Sequence, residues 1–155
     1  MTPAVNYLKK AKIKHKIHQY DHDPASKAFG EEAAEKLNVP FDQIFKTLVV
    51  LTDNKTLSVA IVPVSKQLDL KAFATVLGSK KADMADKRDV ERATGYILGG
   101  VSPLGQKKKL KTVIDRSALE FKTVYVSAGR RGLQVEMSPM DLGSQTGATY
   151  NDISR

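Results

Sequence analysis

The chain has no cysteine among its 155 residues, which excludes disulfides, thiolate metal sites and a cysteine nucleophile. Long apolar runs are missing as well. The N-terminal stretch "MTPAVNYLKKAKIK" is too polar for a signal peptide, and no later segment is apolar enough to span a bilayer. We therefore expect a soluble cytoplasmic protein without a membrane partner. The length suits one domain with its own core, so we expect residues 1–155 to form a single domain.

Familiar catalytic and metal-binding patterns are also missing. The sequence contains no Gly-x-Ser-x-Gly elbow, no Walker loop and no paired-carboxylate pattern. All three histidines fall within "HKIHQYDH", but His15 and His18 would point to opposite faces of a strand, and no second ligand cluster follows. A solvated basic edge explains them better than a metal site. We expect no metal and no cofactor.

Acidic residues are scarce in two parts of this chain, whose net charge is +8. Residues 1–20 hold five lysines and no acid, and residues 97–135 hold eight basic residues against two acids. Such asymmetry predicts a positive face that attracts a polyanion, most plausibly nucleic acid. The alternative is a basic surface that only confers solubility. Charge alone does not distinguish tRNA from DNA or from an acidic protein.

Strand and helix patterns alternate along the chain. Two apolar β-branched runs flank a compact turn at residues 53–55 in "QIFKTLVVLTDNKTLSVAIVPV", which predicts a hairpin. Residues 48–51 are apolar on both faces, so this strand should be covered on both sides. Capping residues and acids predict helices that begin near Thr2, Phe29, Asp69, Asp86 and Ser138. The fold class should be α+β: a mixed, mostly antiparallel curved sheet or partial barrel with helices packed outside.

Two features have both a structural and a functional explanation. Lys46 places a cation near the start of an apolar strand. In one explanation its methylene groups pack against the protein while its ammonium reaches water. In the other, the ammonium is held in a cleft and binds an oxygen of a ligand. The stretch "ILGGVSPLGQKKKL", residues 97–110, combines three glycines, a proline and three lysines. It is either a connecting loop with positive φ angles or a pocket wall whose free amides donate to an oxyanion.

Taken together, these segments resemble a known family. The runs "HDPASKAFGEEAAEKLNVP", "IFKTLVVL", "VPVSKQLDLKAFATVLGSKKADMAD", "ATGYILGGVSPLGQKKKL" and "VYVSAGRRGLQVEMSP" are similar, over about residues 1–140, to the bacterial YbaK family. Its members are free-standing Cys-tRNA(Pro) deacylases, similar to the editing domain inserted in bacterial prolyl-tRNA synthetases. The tail from Leu142 shows no useful match.

The resemblance implies roles for individual positions. The implied catalytic centre comprises Lys46, Gly99, Gly100, Val101 and Ser102. Implied substrate-binding positions are Tyr20, Phe29, Thr47, Pro103, Leu104, Gly105, Ser127, Gly129, Arg130 and Glu136. For Tyr20 and Phe29 the competing role is core packing, and for Glu136 it is surface exposure. Lys107, Lys108, Lys109 and Lys111 would grip the phosphates of the tRNA acceptor stem, or else form a solvated turn.

The resemblance also implies an activity and partners. The substrate's own thiol would attack its ester carbonyl, which needs no protein nucleophile. The expected partners are cysteine-charged tRNA(Pro) and prolyl-tRNA synthetase, without DNA. This reaction of the family is lyase-like, because it forms a cyclic thioester, and it would maintain translation fidelity. Cys-tRNA(Cys) would be a further substrate. Two alternatives stay open: a water-using hydrolase of Ala-tRNA(Pro), and a non-catalytic tRNA-binding module.

Overall fold

The computed structural model describes all of residues 1–155. Five α-helices, one 3₁₀ helix and eight strands follow one another along the chain. The first half contains α1 (Pro3–Ala11), β1 (Lys16–Gln19), α2 (Phe29–Leu37), β2 (Phe45–Thr52), β3 (Leu57–Pro63), α3 (Leu70–Val76) and β4 (Ala82–Met84). The second half contains α4 (Lys87–Thr94), β5 (Lys111–Asp115), a 3₁₀ helix (Arg116–Glu120), β6 (Val124–Arg130), β7 (Leu133–Met137), α5 (Pro139–Thr146) and β8 (Thr149–Asn151).

The strands form two sheets rather than one closed barrel. The smaller sheet has the order β1-β7-β6, and the larger has the order β4-β2-β3-β5-β8. Only the β3–β5 and β5–β8 pairs are parallel; the other four pairs are antiparallel. An isolated bridge between Ile44 and Tyr125 connects the two sheets. The α+β class with a mixed, mostly antiparallel arrangement is confirmed.

Strand β2 is covered on both faces, as its apolar run predicts. Val49 belongs to a core of 20 buried residues that includes side chains from α1, β6 and β7. Val50, on the opposite face, belongs to a second core of nine buried residues that includes Phe73 of α3. Successive strand residues point to opposite faces, so neighbouring valines serve different cores. The strand that carries Lys46 is therefore held firmly on both sides.

Local capping explains where the helices begin. The Thr2 hydroxyl accepts a hydrogen bond from the Val5 N–H, and Ser138 does the same for Asp141. Asp86 caps α4 by accepting from the Asp89 N–H. A side-chain oxygen at this position satisfies an N–H that the helix itself leaves unpaired. None of the five helices has the length and hydropathy that a bilayer crossing requires.

Candidate functional site

A cleft of about 270 Å³ opens beside the first half of β2. Its walls come from β2, β6, β7, the start of α2 and the loop after α4. Strand β4 pairs only with residues 50–52 of β2, so the preceding residues on that edge have no strand beside them in the larger sheet. Seven of the predicted site residues line this cleft: Tyr20, Phe29, Lys46, Thr47, Gly99, Val101 and Ser127.

Lys46 lies in the cleft, half-buried and without a partner. No carboxylate of the protein forms an ion pair with its ammonium. Glu31 and Lys27 also line the cleft, on the α2 side. An ammonium that is partly removed from water and has no internal partner is free to bind an oxygen of a ligand. The interpretation of Lys46 as an anchor in a cleft therefore fits its position better than a stem that merely reaches the solvent.

Two buried oxygens in the cleft have no hydrogen-bond partner. They are Oγ1 of Thr47 and Oε1 of Gln134, and both residues line the cleft. The Gln134 residue is only 8 % exposed. Because almost all buried polar atoms in proteins are hydrogen-bonded, two orphans in one cleft point to groups that a ligand satisfies. The site thus offers hydrogen-bond acceptors next to a cation.

Gln134 is a cleft residue that the sequence reasoning missed. Strand β7 alternates, with Leu133 and Val135 in the core and Gln134 on the opposite face. Gln134 pairs across the sheet with Ser127, a predicted site residue. Residues directly opposite on neighbouring antiparallel strands share a face. A hairpin register read from the "GRRG" turn would therefore have placed Gln134 beside Ser127.

The first half of the glycine loop forms one wall of the cleft. Gly99 has φ +90°, and a Cβ there would lie 2.9 Å from Cε2 of Phe29. A Cβ at Gly100 would lie 2.8 Å from Cα of Arg130, so the loop backbone packs directly on the β6–β7 turn. The Gly100 N–H donates to the carbonyl of Ile97, which closes a turn. The N–H groups of Gly99 and Val101 bind no other group of the protein.

The second half of the loop lies away from the cleft, contrary to the expectation for Ser102, Pro103, Leu104 and Gly105. Ser102 is fully buried, and its hydroxyl accepts from the Leu104 N–H. The other three residues line a separate hollow of about 290 Å³, together with Lys108 and Lys109.

Tyr96 explains this departure. Its hydroxyl donates to the Leu104 carbonyl at 2.5 Å and so draws this half of the loop into the core. Burial raises the pKa of Tyr96 to about 12, so the hydroxyl keeps its proton at neutral pH. Gly105, at φ +65°, packs closely against the backbone of Pro3 at the start of α1.

Two aromatic residues border the cleft near the β6–β7 turn. Tyr20 lines it, and burial raises the pKa of its hydroxyl. The Phe29 ring is half-buried and lies 4.3 Å from the guanidinium of Arg131. Both rings are therefore partly accessible from the cleft rather than being pure core. Arg131 is a second residue that the sequence reasoning did not single out.

The remaining predicted residues of this turn have structural neighbours of their own. The Ser127 hydroxyl accepts from the Gly129 N–H at 3.1 Å while Ser127 lines the cleft. Gly129, at φ +110°, packs against Thr2 and Tyr96 and does not reach the cleft. Arg130 is exposed and borders two neighbouring hollows instead.

Glu136 also lies outside the cleft, contrary to its expected place among the substrate-binding residues. Its carboxylate accepts a hydrogen bond from the Thr123 hydroxyl at 2.6 Å, and His18 Nε2 lies 2.9 Å from its other oxygen. The hydrogen bond from Thr123 contributes most to lowering the pKa of Glu136, and His18 and Tyr125 add to this effect. Its alternating position on β7 puts it on the Gln134 face but further along the strand. Glu136 therefore ties β1, β6 and β7 together.

The predicted phosphate-gripping lysines are all exposed. Lys107, Lys108, Lys109 and Lys111 lie on the segment that leads into β5. The backbone N–H groups of Lys107 and Lys108 donate to carbonyls at the end of α4, which fixes this segment. The three histidines do not converge: no group of three or more potential metal ligands is brought together.

The cleft combines a free ammonium, unpartnered acceptors and free main-chain donors, without any nucleophile–base pair. Such a site holds and polarises a substrate rather than attacking it. A family model described as the aminoacyl-tRNA editing domain matches residues 22–144, most of the chain. The chain belongs to this family of aminoacyl-tRNA editing domains. The resemblance noted in the sequence is thereby confirmed.

Relatives support the assignment. The chain is 36 % identical over 157 residues to EbsC of Enterococcus faecalis (strain ATCC 700802 / V583), named as a candidate Cys-tRNA(Pro)/Cys-tRNA(Cys) deacylase; the match covers 99 % of this chain and 93 % of that protein. It is 29 % identical over 111 residues to a proline–tRNA ligase of Lactobacillus helveticus (strain DPC 4571), covering 72 % of this chain and 20 % of the ligase.

A solved structure shares the fold. The crystal structure of a candidate trans-editing enzyme for prolyl-tRNA synthetase superposes with a TM-score of 0.84 at 24 % identity, covering 99 % of this chain and 95 % of that one. Both matches extend over 99 % of this chain and so include the tail from Leu142, for which the sequence analysis found no useful match. In this protein the tail forms the end of α5 and β8.

Proposed function

We propose that this protein is a trans-editing deacylase that removes cysteine from mischarged Cys-tRNA(Pro), with Cys-tRNA(Cys) as a related substrate. The observation that carries the proposal is that the unpaired Lys46 lines the same cleft as Gly99 and Val101. The similarity to EbsC supports the choice of cysteine. In this proposal the whole chain acts as one editing domain: α1 contacts β6 of the smaller sheet, β8 pairs with β5 of the larger sheet, and the Ile44–Tyr125 bridge joins the two sheets.

The proposed reaction uses the substrate's thiol as the nucleophile. Its sulfur attacks the carbonyl carbon of the ester that links cysteine to the tRNA. A carbon–sulfur bond forms, the bond to the ribose oxygen breaks, and the thiol's proton goes through solvent to that oxygen. The products are free tRNA and a small cyclic thioester, which water later opens. Because a free thiol has a pKa near 8.5, a useful fraction is thiolate at neutral pH.

The protein's part is to orient the ester and to stabilise the developing oxyanion. The free N–H groups of Gly99 and Val101 and the Lys46 ammonium supply positive partial charge there. Thr47 and Gln134 offer their unpartnered oxygens to the substrate's amino group. Holding the thiol close to the carbonyl supplies much of the rate enhancement.

Residues at the rim of the cleft bind the parts of the substrate beyond the ester. Tyr20 and Phe29 stack on the terminal adenine, a contact that tolerates any base. Ser127 orients the ribose, and the exposed Arg130 contacts a phosphate. Gly100, Ser102 and the segment 103–105 support the loop from behind. Gly129 supports the turn, and Glu136 acts at a distance by fixing β7.

Binding of the tRNA body uses the basic surface. Lys107, Lys108, Lys109 and Lys111 contact acceptor-stem phosphates, which gives affinity without reading the sequence. Selection of tRNA(Pro) then requires help, and a complex with prolyl-tRNA synthetase in the cytoplasm supplies it. Such editing is needed because a synthetase pocket discriminates poorly between side chains of similar size.

The direct test is deacylation of Cys-tRNA(Pro) by the wild type and by Lys46→Ala. We expect the variant to lose about 100-fold or more in kcat, the typical effect of removing one oxyanion donor. Lys71→Ala is the matched control, because Lys71 is an exposed lysine on α3, away from the cleft. Equal rates for Lys46→Ala and the wild type would remove Lys46 from the site, and a wild type that does not cleave Cys-tRNA(Pro) would overturn the proposed function.

A further inference from the structure

Arg131 connects two adjoining walls of the cleft. Its Nη2 donates to the carbonyl of Leu98 at 2.7 Å, on the glycine loop. The same guanidinium lies 4.3 Å from the centre of the Phe29 ring, at the start of α2. An arginine can do both at once, because its planar group stacks through its face while donating from its edge. One side chain thus joins the β6–β7 turn, the loop and α2.

The loop is shaped to receive this side chain. A Cβ at Gly99 would lie 2.5 Å from Nε of Arg131, so only glycine leaves room for the guanidinium there. Gly100 rests in the same way on the backbone of the neighbouring residue, Arg130. Two consecutive glycines therefore let the loop approach the turn closely enough for the hydrogen bond to Leu98. The approach also fixes the backbone at Gly99 and Val101, whose N–H groups have no partner in the protein.

We infer that Arg131 is a positioning residue, which holds the Leu98–Val101 segment against Phe29 and so fixes the main-chain donors of the cleft. This inference rests on the proposed function for its catalytic consequence, but the mechanical contact does not depend on it. The competing role is a direct phosphate contact, since Arg131 is exposed and borders a hollow together with Arg130. The two roles affect different measurable quantities.

The kinetic test uses Cys-tRNA(Pro) and the variants Arg131→Met and Arg131→Lys. If Arg131 positions the loop, Arg131→Met loses about 10- to 100-fold in kcat. KM stays within about twofold, because ground-state binding is not what the contact supplies. The dependence of KM on salt also stays unchanged. Arg131→Lys recovers part of kcat, because lysine retains a donor but not the stacking plane.

The opposite results would overturn the inference. Wild-type kcat in Arg131→Met would show that the contact has no catalytic consequence. A raised KM with unchanged kcat, together with a salt slope shallower by about one, would assign Arg131 to a phosphate instead. Arg116→Met is the control: Arg116 is also exposed, and its only side-chain partner is Asp152, far from the cleft residues.

A second measurement separates this inference from the proposed function. Exchange of the Gly100 N–H, which is held by its hydrogen bond to the carbonyl of Ile97, should become about tenfold faster in Arg131→Met, and not in Arg116→Met, since exchange reports local opening. This readout requires no substrate. If the wild type failed to cleave Cys-tRNA(Pro), the proposed function would be wrong. Faster exchange in Arg131→Met would still support the positioning role of Arg131 in that case. Unchanged exchange would overturn the positioning role even in an active enzyme.

Discussion

Lys46 and Gln134 both line the cleft, but only one of them can be recognised from the sequence. Lys46 interrupts an apolar strand, which leaves open whether its stem packs or its ammonium anchors a ligand; the family resemblance implies the anchor, and the structure places Lys46 in the cleft. Gln134 looks like an ordinary exposed position of an alternating strand, yet it is buried with an unpartnered oxygen. Its burial depends on the facing loop and helix, which no local pattern encodes. The sequence therefore pointed to Lys46 but not to Gln134.

Gly99→Ala tests the wall of the cleft at the level of one methyl group. The new Cβ would meet Arg131 and Phe29, and φ +90° is unfavourable for alanine. We expect a loss of about 1–3 kcal/mol in the free energy of unfolding and about tenfold or more in kcat/KM. Urea unfolding and single-turnover deacylation measure the two effects.

Gly78→Ala is the matched control for this prediction. Gly78 has φ +71°, and nothing lies within 4 Å of a Cβ placed there. Both variants carry backbone strain, but only Gly99→Ala disturbs the cleft. Wild-type kcat/KM in Gly99→Ala would contradict the assignment of the loop as a cleft wall.

At the level of elements, capping residues predicted most directly where helices begin. Thr2, Asp86 and Ser138 accept the predicted hydrogen bonds at three helix starts. Strand β8 was not predicted, because three residues without alternation or a turn signal give no local indication. It exists because it pairs with β5, and the Ile153 N–H beyond it donates to the Asp115 carboxylate. Tertiary pairing of this kind leaves no trace in a short window of sequence.

Helix α2 is attached to the preceding segment by a buried carboxylate. Glu32 is 7 % exposed; its Oε1 lies 2.6 Å from Nδ1 of His22, and its Oε2 accepts from the Asp23 N–H at 2.8 Å. Burial alone would raise the pKa of Glu32, but the hydrogen bonds from His22, Asp23 and Lys36 together lower it. Phe29, which starts the same helix, is held in place at the cleft by this attachment.

Glu32→Gln should therefore change the pH dependence of stability. A lowered carboxyl pKa contributes stability above the usual value of about 4.3, and this contribution disappears as pH falls through the lower folded pKa. We expect Glu32→Gln to be less stable than the wild type by about 1–3 kcal/mol at pH 7. The difference should shrink in acid below that value. Urea unfolding at a series of pH values measures it.

Glu35→Gln is the control for this experiment, because Glu35 is exposed on the same helix and forms no ion pair. Its stability should follow that of the wild type at every pH. A Glu32→Gln variant as stable at pH 7 as the wild type would contradict the structural role of this carboxylate.

At the level of the whole molecule, the α+β class followed from the alternation of strand and helix patterns. The division into two sheets did not, because it depends on which strands meet, and only Ile44 and Tyr125 bridge them. Lys107, Lys108, Lys109 and Lys111 are exposed, as their charge predicts, whereas nothing in the sequence predicted the separation of Pro103–Gly105 from the cleft. Long-range contacts such as Tyr96 with Leu104 decide that separation.

The lysine segment predicts a salt-dependent affinity for tRNA. Replacing Lys107, Lys108 and Lys109 together by alanine should reduce the slope of log K against log salt by about 2 to 3. The triple alanine variant at Lys66, Lys71 and Lys80, which are exposed elsewhere, removes the same charge. Fluorescence titration of tRNA at several salt concentrations gives both slopes. Equal slopes for the two triples would show that net charge, rather than this segment, drives binding.

The most direct measurement is single-turnover deacylation of tRNA(Pro) charged with cysteine, serine or alanine, side by side. Serine matches cysteine in size but offers a far weaker nucleophile, and alanine offers none. We predict rapid loss of cysteine alone, with serine and alanine released at the rate seen without protein. Release of serine or alanine as fast as cysteine would show that water, not the substrate's sulfur, breaks the ester.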